Sequence, residues 1–336
     1  VSPFTSNKKD SKAEFTASSM TLKRVAEFWR LFCVSDMGHP LGRYSLIRRS
    51  YLDSGPYPSR SQSAAEAQPI GPGMVELFPM RGTLIFKDGT KFAGDSFGKE
   101  KSIAGEVVFT TGMVGYPESL TDPSYAGQIL IFTYPLLGNY GVPPKEEWEA
   151  RKIHAAGVIV SQYIDTPSHH SSEMSLGAWR ESQNIPALEV KDTRALAQKL
   201  RSGGASLGKI VIGKNIPFAD PNKRNLVDEV SIKKMSVEGK GRKTVVLIDC
   251  GAKENIRRSL LDRGVKLITV PWNYPLFGND GAGVDKLKFD GIVISNGPGD
   301  PQMADATIDT VREAISRKMP TLGICLGNQI LALAAG

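Results

Sequence analysis

Thr321-Leu322-Gly323-Ile324-Cys325-Leu326-Gly327-Asn328-Gln329 decides the reading of this chain. An apolar strand, Thr321–Ile324, runs into a cysteine set between two glycines, and an apolar stretch with helical character follows. Flanking glycines permit a tight strand-to-helix turn that presents a side chain at the top of a sheet, the build of a nucleophile elbow. A cysteine there would sit at a helix N-terminus, where unpaired N–H groups and the helix dipole favour the thiolate over the free thiol near ~8.5. The N–H of Leu326, next along, is in place to receive a developing oxyanion. A buried core cysteine is the plainer alternative, but a core cysteine needs no glycine on each side. Cys250, within an apolar run, and Cys33, in an irregular tail, fit that plainer description.

Outward from the elbow, strands and helices alternate. Thr244–Asp249 reads as a buried strand, Asn255–Arg263 as a helix, Lys266–Val270 and Gly291–Ser295 as strands, and Ala304–Arg317 as a helix before the elbow. That spacing predicts a doubly wound parallel sheet over residues 244–336. Asn296-Gly297-Pro298-Gly299-Asp300-Pro301 follows one of these strands. Its glycines and prolines make a rigid loop that allows close backbone approach to a ligand, although an ordinary Gly/Pro turn would look alike.

Upstream the pattern differs. Gly82–Phe86, the turn Lys87-Asp88-Gly89-Thr90 and Lys91–Gly94 predict a hairpin. Gly105–Thr110, Gln128–Thr133 and Ala156–Val160 are further strands, and Ser172–Ser182 and Thr193–Ser202 read as helices, the second capped by Asp192 or Thr193. Strands gathered ahead of helices suggest a mixed α+β domain over 77–220. The fold expected for the whole is α/β: a mixed α+β amino-terminal domain, then an incomplete doubly wound sheet. Residues 221–243, polar and lysine-rich, read as a linker. Residues 1–76 read as a disordered tail or targeting segment, with a short amphipathic helix at Leu22–Val34.

Composition removes several functions. The chain has 336 residues and a net charge of +7. Residues 1–74 hold ten Lys and Arg against six Asp and Glu, so over half the excess lies in the tail. A nucleic-acid footprint would need a basic patch on a folded domain. No run approaches the ~20 apolar residues of a membrane span. Three cysteines, an odd and sparse set, argue against a disulfide framework and for a reducing compartment. A cytoplasmic location follows, or a mitochondrial one if the tail is a transit peptide; its Glu14, Glu27, Asp36, Asp53 and Glu66 speak against that. No metal site is expected; the adjacent pair His169-His170 lacks further ligands.

Taken together, Asn296–Pro301 and Gly323–Gln329 resemble the class I, triad-type glutamine amidotransferases. The upstream stretches Gly105–Glu118, Leu120-Thr121-Asp122-Pro123-Ser124-Tyr125, Tyr134–Gly141, Asp192-Thr193-Arg194 and Leu247–Asn255 resemble the small subunit of carbamoyl-phosphate synthetase, colinearly over residues 80–336. Thr111–Val114 and Pro271-Trp272-Asn273-Tyr274 look more like the eukaryotic, pyrimidine-pathway type than the bacterial one.

The resemblance implies that Cys325 attacks the side-chain amide of L-glutamine, giving a γ-glutamyl thioester and ammonia. Leu326 and Gly297 or Gly299 would supply backbone groups, Gln329 would contact glutamine, and Ser124 would hold its α-amino-acid end. On residues alone, Asp-Pro-Ser-Tyr around Ser124 is merely a good turn. Ammonia would pass to a synthetase subunit or fused domain that uses ATP, Mg and bicarbonate; no cofactor is expected on this chain. The resemblance also implies a catalytic His and Glu in a His-Pro-Glu stretch well after the cysteine. Only 11 residues follow Cys325, and His39, His154, His169 and His170 all precede it. The chain therefore reads as truncated inside the amidotransferase domain, with impaired hydrolysis and a partly uncovered last helix. Asn328 stands where the family usually has histidine. A non-catalytic module that docks a synthetase subunit is the alternative.

Overall fold

The computed structural model describes residues 80–277 and 288–336. The tail, with the expected helix at Leu22–Val34, lies outside the described residues.

The amino-terminal unit is a closed seven-stranded barrel. β1 (Arg81–Phe86) turns through Gly89, whose φ of 88° needs a residue without Cβ, into β2 (Lys91–Ser96). The Asp88 carboxylate accepts the Thr90 N–H at 2.9 Å and closes the turn. β3 (Ile103–Thr110) leads through α1 (Tyr116–Thr121) to β4 (Gln128–Phe132). A short pair, β5 (Leu136–Leu137) and β7 (Gln162–Tyr163), flanks β6 (Gly157–Val160). α2 (Leu176–Ser182), β8 (Ala187–Glu189), α3 (Thr193–Gly203) and β9 (Ser206–Ile212) complete the unit. Asp192 caps α3, accepting the Ala195 N–H at 2.8 Å.

The barrel order is β1-β2-β8-β6-β4-β3-β9, with β9 returning to pair with β1. β3, β4, β6 and β8 run parallel to their neighbours in that run, and the other pairings are antiparallel. The parallel strands Ile129–Phe132 and Gly157–Val160 are buried along their length, as strands covered on both faces must be. Alternate residues feed two cores. Leu84, Phe86, Val107, Ile129, Ile159 and Ile210 join Leu196 and Leu200 of α3. Leu130, Phe132, Val158 and Val160 pack with Tyr116 and Leu120 of α1 and Trp179 of α2.

Residues 221–243, expected to be a linker, are built into the second unit. α4 (Leu226–Val230) is capped by Asn225 and buries Leu226 and Val227. β10 (Ser236–Glu238) pairs antiparallel with β12, Val237 opposite Ile268. Its single central apolar residue, half exposed, gives an edge strand that a polar sequence hides.

The second unit is the doubly wound sheet. β11 (Thr244–Asp249), α5 (Glu254–Asp262), β12 (Lys266–Pro271), β13 (Gly291–Ile294), α6 (Asp305–Ser316), β14 (Thr321–Gly323) and α7 (Leu326–Ala335) follow in chain order. The sheet order is β10-β12-β11-β13-β14, parallel except at β10. One face packs α6 and α7 through Ile308, Val311 and Ile330; the other packs α5 through Leu260. The order turns back at β11, between β12 and β13. That is the switch point, and the crevice at the carboxyl ends of β11 and β13 is where such sheets bind ligands. Among the described residues no helix is long and apolar enough to cross a membrane.

Candidate active site

Cys325 sits at the end of β14 as the N-cap of α7, with φ 53° and ψ −109°. These angles lie outside the regions an L-residue ordinarily occupies, so the backbone is held there by its surroundings. The two glycines explain how. A Cβ on Gly327 would overlap the Ile294 carbonyl oxygen and lie 2.8 Å from the Ser295 oxygen; a Cβ on Gly323 would lie 2.6 Å from the Asn328 nitrogen. Only glycine lets α7 start this close to β13. The Gly327 N–H bonds the Ser295 carbonyl at 3.1 Å, and the Asn328 and Gln329 N–H groups bond the Cys325 carbonyl at 2.9 and 3.2 Å. Among the described residues the Leu326 N–H has no hydrogen-bond acceptor, and the Cys325 thiol is exposed. An exposed sulfur and, among the described residues, an N–H without an acceptor thus share one turn at a helix N-terminus.

Gly297 and Gly299 form the facing loop. A Cβ on Gly297 would overlap the Cys250 carbonyl oxygen and stand 2.7 Å from Leu326 Cδ2, so the loop touches the residue after Cys325. Gly299 has φ 79°, and Asp300 caps the next turn by accepting the Gln302 N–H at 2.9 Å. Ser295, fully buried, ties the two central strands: its hydroxyl accepts the Cys250 N–H at 2.9 Å and donates to the Asn296 carbonyl at 2.7 Å. Cys250 is buried, and burial pushes its thiol up to about 12. It is the inert cysteine. Asp249, also buried, accepts the N–H groups of Ile232, Gly251 and Ala252 at 2.8, 2.8 and 2.6 Å. Burial still holds its carboxyl above the ordinary value.

Ser124 reaches this loop from the barrel. Asn296, buried in the switch-point loop, donates through Nδ2 to Ser124 Oγ at 2.9 Å and to Asp122 Oδ1 at 3.2 Å. Its Oδ1 accepts the Lys253 N–H at 3.1 Å. Lys253 Nζ pairs with Asp122 Oδ2 at 2.8 Å, and Asp122 Oδ1 also accepts the Ser124 N–H at 2.9 Å. Burial works to lower the Lys253 ammonium, but the Asp122 carboxylate outweighs it and holds the group above the usual lysine value. The run Ser124, Asn296, Gly297, Leu326, Cys325 is therefore a chain of direct neighbours crossing from barrel to elbow. Gln329 lies one turn into α7 and is exposed.

Asp122, Asn296 and Lys253 were not singled out from sequence. Asp122 lies two before Ser124, Asn296 one before Gly297, and Lys253 at the N-cap of α5, and such polar residues carry no periodic signal.

None of the described histidines is hydrogen-bonded to Cys325. His154 lines a cavity of about 570 Å³ at the junction of the units, together with Glu149, Asp249 and Lys253. Burial lowers its pKa to about 4. His169 and His170 lie ring against ring, centroids 4.3 Å apart, in an exposed loop. Among the described residues no group of three His, Cys, Asp or Glu is disposed to hold a metal ion.

The sheet, elbow and glycine loop define the class: residues 246–336 match the family described as Glutamine amidotransferase class-I. Residues 84–210 match Carbamoyl-phosphate synthase small chain, CPSase domain. The chain belongs to the carbamoyl-phosphate synthase small-chain family. It is 49% identical over 269 residues to Multifunctional protein CAD of Squalus acanthias, covering 76% of this chain and 12% of that protein. It is 45% identical over 275 residues to the Carbamoyl phosphate synthase arginine-specific small chain of Saccharomyces cerevisiae, covering 76% of this chain and 66% of that one. Multifunctional protein URA2 of the same yeast is 42% identical over 317 residues, 81% of this chain and 14% of the relative. The chain thus spans about two thirds of the small-chain relative and about an eighth of the multifunctional ones.

Proposed function

We propose that this chain is the glutamine-hydrolysing part of a carbamoyl-phosphate synthase. The observation that carries the reading is the elbow: an exposed thiol at φ 53°, beside an N–H without an acceptor among the described residues, at the switch-point end of a doubly wound sheet. The Cys325 sulfur attacks the side-chain carbonyl carbon of glutamine. The carbonyl oxygen gains charge and is received by the Leu326 N–H, with the Gly297–Gly299 loop closing over the substrate. Collapse breaks the C–N bond, ammonia leaves with a proton, and a γ-glutamyl thioester remains on Cys325 until water releases glutamate. Ser124 holds the amino-acid end, and Gln329 contacts glutamine. Ammonia goes to a synthetase subunit or fused domain, where ATP, Mg and bicarbonate are consumed. Its carbamoyl phosphate serves pyrimidine or arginine synthesis; one relative is an arginine-specific small chain.

Among the described residues no histidine is hydrogen-bonded to Cys325 to give departing ammonia its proton. A general acid contributes ~10²–10⁴-fold. A general acid placed beside Cys325 is expected to raise turnover by that factor.

The test is mass spectrometry after treatment with an electrophilic glutamine analogue. The expected result is saturable labelling of the Cys325 peptide, with protection by L-glutamine. Labelling that rises linearly with reagent and ignores L-glutamine would remove the reading.

A further inference from the structure

Glu149 is a buried carboxylate that the hydrolysis does not use. It follows the turn at Lys145–Glu147 in the barrel unit, yet its acceptors serve the other unit. Its Oε2 accepts the Asn255 N–H at 2.8 Å, and its carbonyl accepts the Glu254 N–H at 2.9 Å. Those are first-turn donors of α5, whose own N-cap, Lys253, makes no side-chain cap. The first N–H groups of a helix need outside acceptors, and a negative charge there also meets the positive end of the helix dipole. The barrel thus caps a helix of the sheet.

The grip is firm on both sides. Trp148 packs against Trp179 with ring centroids 4.6 Å apart, and its Nε1 donates to the Pro143 carbonyl at 3.0 Å. Arg258 of α5 reaches back, donating through Nη1 to the carbonyls of Glu146 and Trp148 at 2.7 and 3.2 Å. The Glu149 N–H donates to the fully buried Thr121 Oγ1 at 3.0 Å. Thr121 ends α1 and directly precedes Asp122, the residue that holds the Ser124 N–H. One residue therefore connects α5 of the sheet with the segment that brings Ser124 to Asn296 of the switch-point loop.

We propose that Glu149 is a positioning residue that sets the register between barrel and sheet, and through it the place of Ser124 over Cys325. This rests on the glutamine reading above. The experiment uses the full chain with Glu149→Ala, Glu149→Gln and Thr121→Val. The glutamine keeps an oxygen acceptor for Asn255, and the valine cuts the link to Asp122 from the barrel side. Three quantities are read at Cys325 and its supports: saturable alkylation by the electrophilic glutamine analogue, the rate with iodoacetamide, which has no amino-acid end, and amide hydrogen exchange at Ser124 and Asn255.

Loss of a charge-assisted bond should raise the half-saturating analogue concentration about tenfold in Glu149→Ala. The maximal rate and the iodoacetamide rate should stay within about twofold of the parent, since the elbow is untouched. Glu149→Gln should recover most of the loss, and Thr121→Val should show the same direction as the alanine. An unchanged half-saturating concentration overturns the proposal. An equal fall in iodoacetamide rate also overturns it, because Cys325 itself would then be disturbed. Absence of saturation in the unaltered chain removes the glutamine reading alone. Exchange then decides the register: faster exchange at both Asn255 and Ser124 in Glu149→Ala sustains it, and a change at Asn255 that stops short of Ser124 refutes it.

Discussion

Replacing Cys325 with glycine should make the protein more stable while removing the proposed nucleophile. A non-glycine residue held in a sparsely populated region costs ~1–3 kcal/mol, and Cys325 is held at φ 53°, ψ −109° by the close approach of α7 to β13. Glycine occupies such angles freely. Its greater freedom in the unfolded chain takes back ~0.5–1 kcal/mol. The thiol is exposed, so little apolar burial is lost with it. The net gain is on the order of 0.5–2 kcal/mol, which for a unit of this size raises the melting temperature by roughly 2–6 °C. Cys325→Ala separates the two effects: it removes sulfur but keeps Cβ and hence the strain, and should melt within about 1 °C of the parent. Thermal unfolding of the three proteins side by side reads the difference. If Cys325→Gly melts no higher than Cys325→Ala, the elbow is not strained and the argument for an enforced nucleophile geometry fails.

Gly297→Ala should cost ~1–3 kcal/mol through overpacking against the Cys250 carbonyl and Leu326, and should slow alkylation of Cys325 because the loop is pushed from the elbow; parallel denaturation and labelling measure both. Acid should weaken the fold through His154, whose pKa drops from 6.5 when exposed to about 4 when buried. The unfolded chain binds the extra proton, so this contribution is complete above about pH 6.5, is lost as pH falls towards 4, and amounts to at most about 3 kcal/mol. Stability followed from pH 7.5 to 4.5 should flatten in His154→Phe; an identical slope in both proteins would sink the assignment. Iodoacetamide at pH 8 should modify Cys325 in the native protein and reach Cys250 only after denaturation, because burial holds the Cys250 thiol at about 12. Native labelling of Cys250 at a comparable rate would contradict its burial at the switch point.

The elbow and the alternation of the second unit were legible because local chemistry dictates them. Gly323 and Gly327 mark a turn that a Cβ would block, and the buried parallel strands read as continuous apolar runs. The barrel was less so. Its individual strands are visible, but closure depends on β9 finding β1 across the whole unit, and on β8, three residues long, joining β2 to β6. Non-local pairing of that kind leaves no periodic trace. β10 was hidden for a different reason: Ser236-Val237-Glu238 sits at an edge, where one apolar residue suffices. In the site, the Leu326 N–H followed from the elbow and the Gly297–Gly299 loop from its glycines and prolines, whereas Ser124 and Gln329 came from the family resemblance rather than from their own chemistry. Asp122, Asn296, Lys253 and Glu149 escaped because their partners lie more than 40 residues away or in the other unit.

The barrel also decides where this chain is vulnerable. A sheet closed on itself leaves no row of unpaired N–H and carbonyl groups for another chain to join. The second sheet is open, and among the described residues its outer strands are β10 and β14. Val237 on β10 and the neighbouring Met235 are both exposed. Misassembly during expression or storage should therefore begin at β10, and Val237→Lys would be the economical safeguard.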